Sequence, residues 1–213
     1  FNLQVGRRKL RAKIPLIGKF NVYNALAALA AGVGMGLNLR EAVAHLAQFP
    51  QVPGRLESVS DGRAFDVYVD YAHTPDALEN ALETLLGLDP RRLIVVFGCG
   101  GNRDTEKRAE MGAIAARLAH YVIITSDNPR DEDPQEIISD IEGGFKGEHF
   151  ESVVDRREAI GLGVSYLIPR DILLIAGKGH ETFQEINSVA LPFDDREVAS
   201  ELLRNKRERW GNS

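Results

Sequence analysis

The sequence predicts an α/β fold, a doubly wound and mostly parallel sheet, preceded by a short segment that belongs to a different unit. Three observations lead there. From Gly54 onward, strand-like apolar runs alternate with helix-patterned runs, the rhythm of consecutive strand–helix–strand units. The run RRLIVVFG (91–98) is apolar on successive residues, as a strand covered on both faces must be. Before Pro50 the texture differs, and Pro50 and Pro53 punctuate a linker, FPQVPGR. The expected division is therefore 1–52 for the leading segment and 53–213 for the main domain.

In chain order, residues 1–17 read as two short strands, FNLQV and RAKIPLI, with Gly6-Arg7-Arg8 turning between them. Asn21 to Met35 carries apolar residues and alanines at helical spacing, with Asn21 as the N-cap near its start. A second helix is expected over Arg40 to Gln48. In the main domain FDVYVDYA (65–72) reads as a strand. TPDALENALETLL (74–86) reads as a helix with Thr74 as N-cap and Pro75 at the first position, where a missing N–H does no harm. After the strand RRLIVVFG come the helix DTEKRAEMGAIAARLA (104–119), the strand YVIIT (121–125) and the helix DPQEIISDIEGG (133–144), which glycines close. The helix DRREAIGLGVSYL (155–167), the strand DILLIAG (171–177) and the terminal helix DREVASELLRNKRER (195–209) complete the pattern.

Composition narrows the function classes. A chain of 213 residues suits one large domain or one domain plus a fragment. Its 44% hydrophobic content is ample for a core, and its net charge of −5 argues against a general nucleic-acid footprint. Cys99 is the only cysteine, so no internal disulfide is expected, in keeping with a reducing cytosol. No run of about 18 apolar residues suggests a membrane span, and NALAALAAGVGMGL (24–37) is broken by glycines. The start at Phe1, already in a strand-like register, suggests a piece of a longer protein.

The chemistry concentrates where strands end. Three strands run into polar, glycine-containing loops: VVFGCGGNRD (95–104), VIITSDNPR (122–130) and LLIAGKGHE (173–181). If those strands are parallel, the loops share the sheet edge where open α/β folds bind ligands. In the first loop, Gly98-x-Gly100 hints at a dinucleotide fingerprint. Arg103 stands at the third glycine position, however, and no acid closes the next strand about 20 residues on, so a nicotinamide site is disfavoured. Arg103 reads better as a cation held at that turn, beside a helix N-terminus that also favours anions. In the second loop Pro129 biases Asn128 toward an extended backbone and gives Arg130 a defined direction. A guanidinium offers a planar donor fork that matches a carboxylate. The alternative is that Arg130 pairs with Asp131 or Glu132 on a solvated surface. The third loop resembles part of a phosphate loop without the Walker spacing. There Glu181 suits an ammonium group, and His180 reads as a structural hydrogen-bonding residue. Two cations, Arg103 and Arg130, with two acids, Asp127 and Glu181, would make a site for a zwitterion such as an amino acid.

These residues carry a family resemblance. DNPR after one strand, GCGGNRD after another and GKGHE after a third resemble the C-terminal domain of the Mur ligases, and within them the members that add meso-diaminopimelate. GKFNVYNALAA (18–28) and PGRLE…VDYAHTPDAL (53–78) agree, so the resemblance runs over most of the chain. It implies a Rossmann-like main domain that binds the amino acid, and a leading segment that is the incomplete end of a central ATPase domain. It also implies a reaction in which ATP activates the D-glutamate carboxylate of UDP-MurNAc-L-Ala-D-Glu as an acyl phosphate. The amino group of diaminopimelate then attacks to form an amide in peptidoglycan synthesis. By the same resemblance Arg103, Asp127, Asn128, Pro129, Arg130, Gly177 and Glu181 contact diaminopimelate, with Arg130 meeting its distal carboxylate and thereby excluding lysine. Asn21, Arg55, Asp70 and His73 would face the nucleotide. Each of these also has a plain structural reading: Asn21 as a cap, Arg55 in a surface ion pair, Asp70 capping the loop after its strand.

The chain departs from the family in lacking the Walker loop and the magnesium ligands, so ATP and Mg2+ belong to the full enzyme. No catalytic or metal-ligating residue is assigned here, and this chain alone is expected to be inactive. The expected partners are small molecules (meso-diaminopimelate, UDP-MurNAc-dipeptide and ATP) for a cytoplasmic monomer, with no nucleic acid and no membrane. A stand-alone amino-acid-binding module without catalysis is the competing reading. A related ligase with another substrate, such as a folylpolyglutamate synthetase, is a further one, against which DNPR counts.

Overall fold

A computed structural model describes residues 1–60, 64–147 and 149–210, the last four by their backbone. The chain divides into two compact units, Phe1–Val52 and Pro53–Ser213.

In the first unit β1 (Asn2–Val5) pairs antiparallel with β2 (Arg8–Arg11), Val5 facing Arg8 across a two-residue turn. The second strand therefore begins earlier than RAKIPLI and stops at Arg11. Gly6, at φ +60, permits the tight turn, and that turn sets the register. Helix α1 (Lys19–Gly34) starts ahead of Asn21, with Gly18 in the capping position. Asn21 is thus not the N-cap: its Nδ2 donates back to Ile17 O at 2.7 Å from within the first turn. Helix α2 (Leu39–Leu46) is capped by Asn38, whose Oδ1 accepts from the N–H groups of Arg40 and Glu41. Leu3, Ala12, Leu29 and Val43 form a small core. Tyr23, Met35 and Leu37 remain exposed.

The second unit holds β3 (Glu57–Ser58), β4 (Asp66–Asp70), α3 (Pro75–Leu86), β5 (Leu93–Phe97), α4 (Glu106–Leu118), β6 (Tyr121–Ile124), α5 (Pro134–Glu142), β7 (Phe150–Ser152), α6 (Arg156–Tyr166), β8 (Ile172–Ala176), β9 (Phe183–Ile186), β10 (Val189–Pro192) and α7 (Asp195–Trp210). Six strands form one sheet in the order β3-β4-β8-β5-β6-β7. All neighbours from β4 to β7 are parallel, and β3 joins the edge antiparallel. The chain winds both ways from the middle, because β8 inserts between β4 and β5.

Both faces are covered, as the apolar strands require. On one face Ala159, Ile160 and Val164 of α6 and Val198, Ala199 and Leu203 of α7 pack on Val67, Val69, Ile94, Val96, Leu173 and Ile175. Strand pleating turns Leu93, Val95 and Phe97 to the other face, where α3, α4 and α5 lie side by side. Thr74 caps α3 ahead of Pro75 as the sequence predicts, its hydroxyl accepting from Ala77 N–H. Four strands have no counterpart in the sequence pattern: β3, β7, β9 and β10. They are two to four residues long, too short to display a period of two. Among the described residues no helix is long and apolar enough to cross a membrane.

Candidate functional site

Because β4, β5, β6 and β8 are parallel, their carboxyl ends open on one edge, and the loops that follow surround a cleft. Arg103, Asp127, Asn128, Arg130, Gly177, Glu181 and His73 line it. Of the other residues singled out from the sequence, Pro129 and Asp70 are buried and not part of the lining, Arg55 is exposed and not part of it either, and Asn21 lies in the first unit. Tyr71, Thr74 and Lys107 also line the cleft; Thr74 is legible in the sequence only as a helix cap, and Tyr71 and Lys107 are not singled out there.

The loop after β6 is built from the inside out. Asp127 is 8% exposed. Its Oδ1 accepts from Asn128 N–H at 2.8 Å, while Oδ2 has no hydrogen-bond partner among the described residues. Burial pushes its carboxyl above the ordinary range, partly opposed by Arg156 and Lys178. A buried, unpartnered carboxylate oxygen at a cleft wall suits a cationic ligand. Gly177 makes the close approach feasible: a Cβ there would lie 2.5 Å from Asp127 Oδ2, and its φ of +118 disfavours side chains.

Asn128 is held by three side-chain hydrogen bonds within the protein. Its Oδ1 accepts from Lys178 Nζ (2.8 Å) and Glu185 N–H (3.0 Å), and its Nδ2 donates to Glu181 Oε2 (2.9 Å). Pro129 is buried, and its carbonyl comes so close to Gly101 that a Cβ there would sit 1.9 Å away.

Arg130 adopts φ +53, unusual for a residue with a side chain. Strand β9 holds it there. Arg130 N–H donates to Glu185 O (3.0 Å), Asn187 N–H donates to Arg130 O (2.7 Å), and a parallel bridge links Arg130 with Ile186. Its guanidinium gives Nη1 to Gly101 O at 2.7 Å and Nε to Glu185 at 3.1 Å. The surface pairing with Asp131 or Glu132 is therefore not realised. Glu132 pairs with Arg108 and Asp131 accepts from Ser188 instead. Arg103 is exposed, with no hydrogen bond or ion pair among the described residues, a cation free to meet a ligand.

Behind the lining, Arg156 and Asp195 form an ion pair whose side chains are both fully buried. Arg156 also donates to Ser126 O (3.2 Å) and Ala176 O (3.0 Å), the carbonyls just ahead of Asp127 and Gly177. It staples the ends of β6 and β8 to the start of α7.

On the other side, Asp70 spends both carboxylate oxygens on the backbone, accepting from Leu56 N–H (2.7 Å) and Ala72 N–H (2.8 Å). Burial raises its carboxyl, against the pull of those two bonds and of Arg55. Arg55 lies over the Tyr71 ring, 5.2 Å from its centroid, rather than in a surface ion pair. His73 packs on the same ring at 4.5 Å, with Nδ1 2.8 Å from Tyr71 O. His180 rests against Tyr71 at 5.3 Å, a ring contact in place of the expected hydrogen bond. Tyr71 thus organises three basic side chains.

Comparison with known proteins accords with this geometry. Residues 54–179 match the family described as Mur ligase, glutamate ligase domain. The chain is 47% identical over 209 residues to the UDP-N-acetylmuramoyl-L-alanyl-D-glutamate–2,6-diaminopimelate ligase of Syntrophomonas wolfei, covering 97% of this chain and 43% of that one. It is 49% identical over 194 residues to the ligase of the same name from Geobacillus kaustophilus, covering 90% and 40%. A solved structure with that name superposes with a TM-score of 0.73 at 41% identity, over 97% of this chain and 42% of the other. The chain thus spans less than half the length of the relatives it matches. A family match over more than half of its residues, on a doubly wound sheet whose ligand edge carries DNPR and GKGHE, makes this chain a member of the Mur ligase family.

Proposed function

We propose that this chain is the C-terminal part of an ATP-dependent ligase that joins meso-diaminopimelate to the D-glutamate carboxylate of UDP-MurNAc-L-Ala-D-Glu in peptidoglycan synthesis. Residues 53–213 are the amino-acid-binding domain, and residues 1–52 are the end of the central ATPase domain. One observation carries the reading: Arg103 and Arg130 share a cleft with Asp127 and Glu181, in a chain close in sequence to ligases of that name. The two guanidiniums suit the two carboxylates of the amino acid, and the two acids suit its ammonium groups. Asn21 in the first unit, and Arg55, Asp70 and His73 in the second, are each assigned to the nucleotide, Asp70 by tying the backbone of Leu56 to that of Ala72.

ATP and Mg2+ are assigned to the ligase beyond this chain. The Walker spacing is absent from the sequence. The contribution of this chain is to bind and orient the amine. An enzyme of this kind acts in the cytoplasm, with which the lone Cys99 accords, and a monomer is expected.

Arg130 sets the preference for diaminopimelate over lysine, which lacks the distal carboxylate. The magnitude follows from its surroundings. Its side chain is 21% exposed and Glu185 already neutralises part of its charge, so lysine does not strand a naked buried cation. The loss is that of one charge-assisted hydrogen bond, about 1.5–3 kcal/mol, or roughly 10- to 150-fold in affinity. Calorimetric titration of the chain with meso-diaminopimelate and with L-lysine tests this. The expected result is a preference of that size, abolished by Arg130→Ala. Equal binding of the two ligands by the unaltered chain refutes the assignment.

A further inference from the structure

The amino-acid cleft contains an ammonium group of its own. Lys178 follows Gly177, and its side chain is fully buried. Its Nζ donates to Asn128 Oδ1 at 2.8 Å and to Glu181 Oε2 at 3.1 Å, and stands 5.7 Å from the centroid of the Phe183 ring. An ammonium group only donates, so together with the Glu185 N–H it fixes which way the Asn128 amide points. The oxygen faces Lys178 and the Glu185 N–H, and the nitrogen is left to donate to Glu181 Oε2. Glu181 Oε2 therefore receives two donors, whereas Oε1 has none among the described residues. Glu181 lines the cleft, its side chain 22% exposed.

A buried lysine is costly to desolvate, and a methionine of similar length would fill the same space without that cost. What the ammonium adds is orientation. Without it the Asn128 amide is held by the Glu185 N–H alone, and Glu181 Oε2 keeps one donor in place of two, so the carboxylate turns more freely about its last torsion.

We propose that Lys178 is a positioning residue for amino-acid recognition, which ties down Oε2 of Glu181 and so presents Oε1 to an ammonium group of the bound amino acid. This rests on the reading of the cleft as a diaminopimelate site. Two consequences separate it from a role in packing alone. Lys178 matters for a ligand that carries amino groups and not for the same dicarboxylate without them. It also acts only through Glu181.

Calorimetric titration with meso-diaminopimelate and with pimelic acid, which lacks both amino groups, tests both consequences in the unaltered chain, Lys178→Met, Glu181→Gln and the double variant. The expected result is a loss of roughly tenfold or more in meso-diaminopimelate affinity for Lys178→Met, with pimelate affinity changed less than about twofold. In the Glu181→Gln background Lys178→Met adds nothing, the mark of two residues acting as one. Equal losses for both ligands, additive losses in the double variant, or unchanged meso-diaminopimelate binding in Lys178→Met overturn the role of Lys178. Binding of neither ligand by the unaltered chain overturns the amino-acid reading of the cleft, and this assignment with it. Should Lys178→Met not fold, Lys178→Leu, which also removes the donor, is judged by the same outcomes.

Discussion

Replacing Arg156 by methionine removes one half of an ion pair that no solvent reaches. Both side chains are fully buried, and the guanidinium meets Asp195 in a two-point contact, Nε to Oδ1 at 2.8 Å and Nη2 to Oδ2 at 2.7 Å. Arg156→Met leaves the Asp195 carboxylate uncompensated, and breaking a buried pair from one side costs about 3–5 kcal/mol. The position of Asp195 at the first turn of α7 offsets up to about 1 kcal/mol of that through the helix N-terminus. The carbonyls of Ser126 and Ala176 each lose a donor as well, roughly 1 kcal/mol apiece. With the full offset the sum lies near 4–6 kcal/mol. At about 2–4 °C per kcal/mol for a domain of this size, Tm should fall by roughly 8–24 °C. Far-UV circular dichroism during urea and thermal unfolding reads both quantities. The double variant Arg156→Met/Asp195→Leu removes the stranded charge and should recover most of the loss. A single variant that loses less than about 1 kcal/mol, or a double variant less stable than the single, would show that the pair is not the staple described.

Other outcomes follow from the same loops. Gly177→Ala places a Cβ 2.5 Å from Asp127 Oδ2 on a backbone at φ +118; it should cost about 1–3 kcal/mol and weaken meso-diaminopimelate binding by calorimetry. Gly6→Ala, at φ +60 with open space around it, should leave that binding unchanged, and equal effects of the two would contradict the close-approach account. The folded protein holds the Asp127 proton to higher pH than the unfolded chain does, because burial raises its carboxyl. The contribution of this group to stability is therefore full below the unfolded carboxylate range, near pH 3.9, and is lost as pH rises through the folded value. Asp127→Asn should flatten the decline in Tm on going from about pH 4 to pH 7, and a decline as steep as that of the parent chain would count against it.

Much of the main sheet is legible in the sequence because its strands are buried on both faces. LIVVF and ILLIA need no partner to be read as strands, and Thr74-Pro75 announces α3 on local chemistry alone. That three of the loops share one edge is legible for a related reason. Parallel strands send their loops to the same side, so acids and arginines in three such loops predict one site. What escapes is whatever depends on distant partners. Strands β9 and β10 are four residues each, without clear alternation; they pair with each other across Asn187-Ser188, and β9 is fixed in place by its bonds to the loop after β6. Glu185, the partner of Arg130, is invisible for that reason. Lys178 reads as a solvent-facing lysine between glycines, although Asn128, 50 residues earlier, takes it into the interior. Arg156 and Asp195 look like ordinary charges at helix starts, and only the folded chain brings them together across 39 residues. Asn21 fails in the other direction. Its residue type suits a cap, but Gly18 starts the helix earlier and leaves Asn21 inside the first turn.

The clamp on residues 126–131 has a consequence for how the protein is made. Gln184 donates to Ser126 Oγ and to Asp127 O, Glu185 and Asn187 hold Arg130, and Asp195 secures Arg156 beneath them. Every one of these anchors is translated well after the loop it fixes. During synthesis from the N-terminus, the strands β4 to β8 leave the ribosome with the ligand edge still unfastened, and Arg130 is set in its left-handed backbone only when residues 184–195 emerge. The cleft is thus among the last features of the domain to form, and a nascent chain stopped before β9 carries its lining residues without the contacts that fix them.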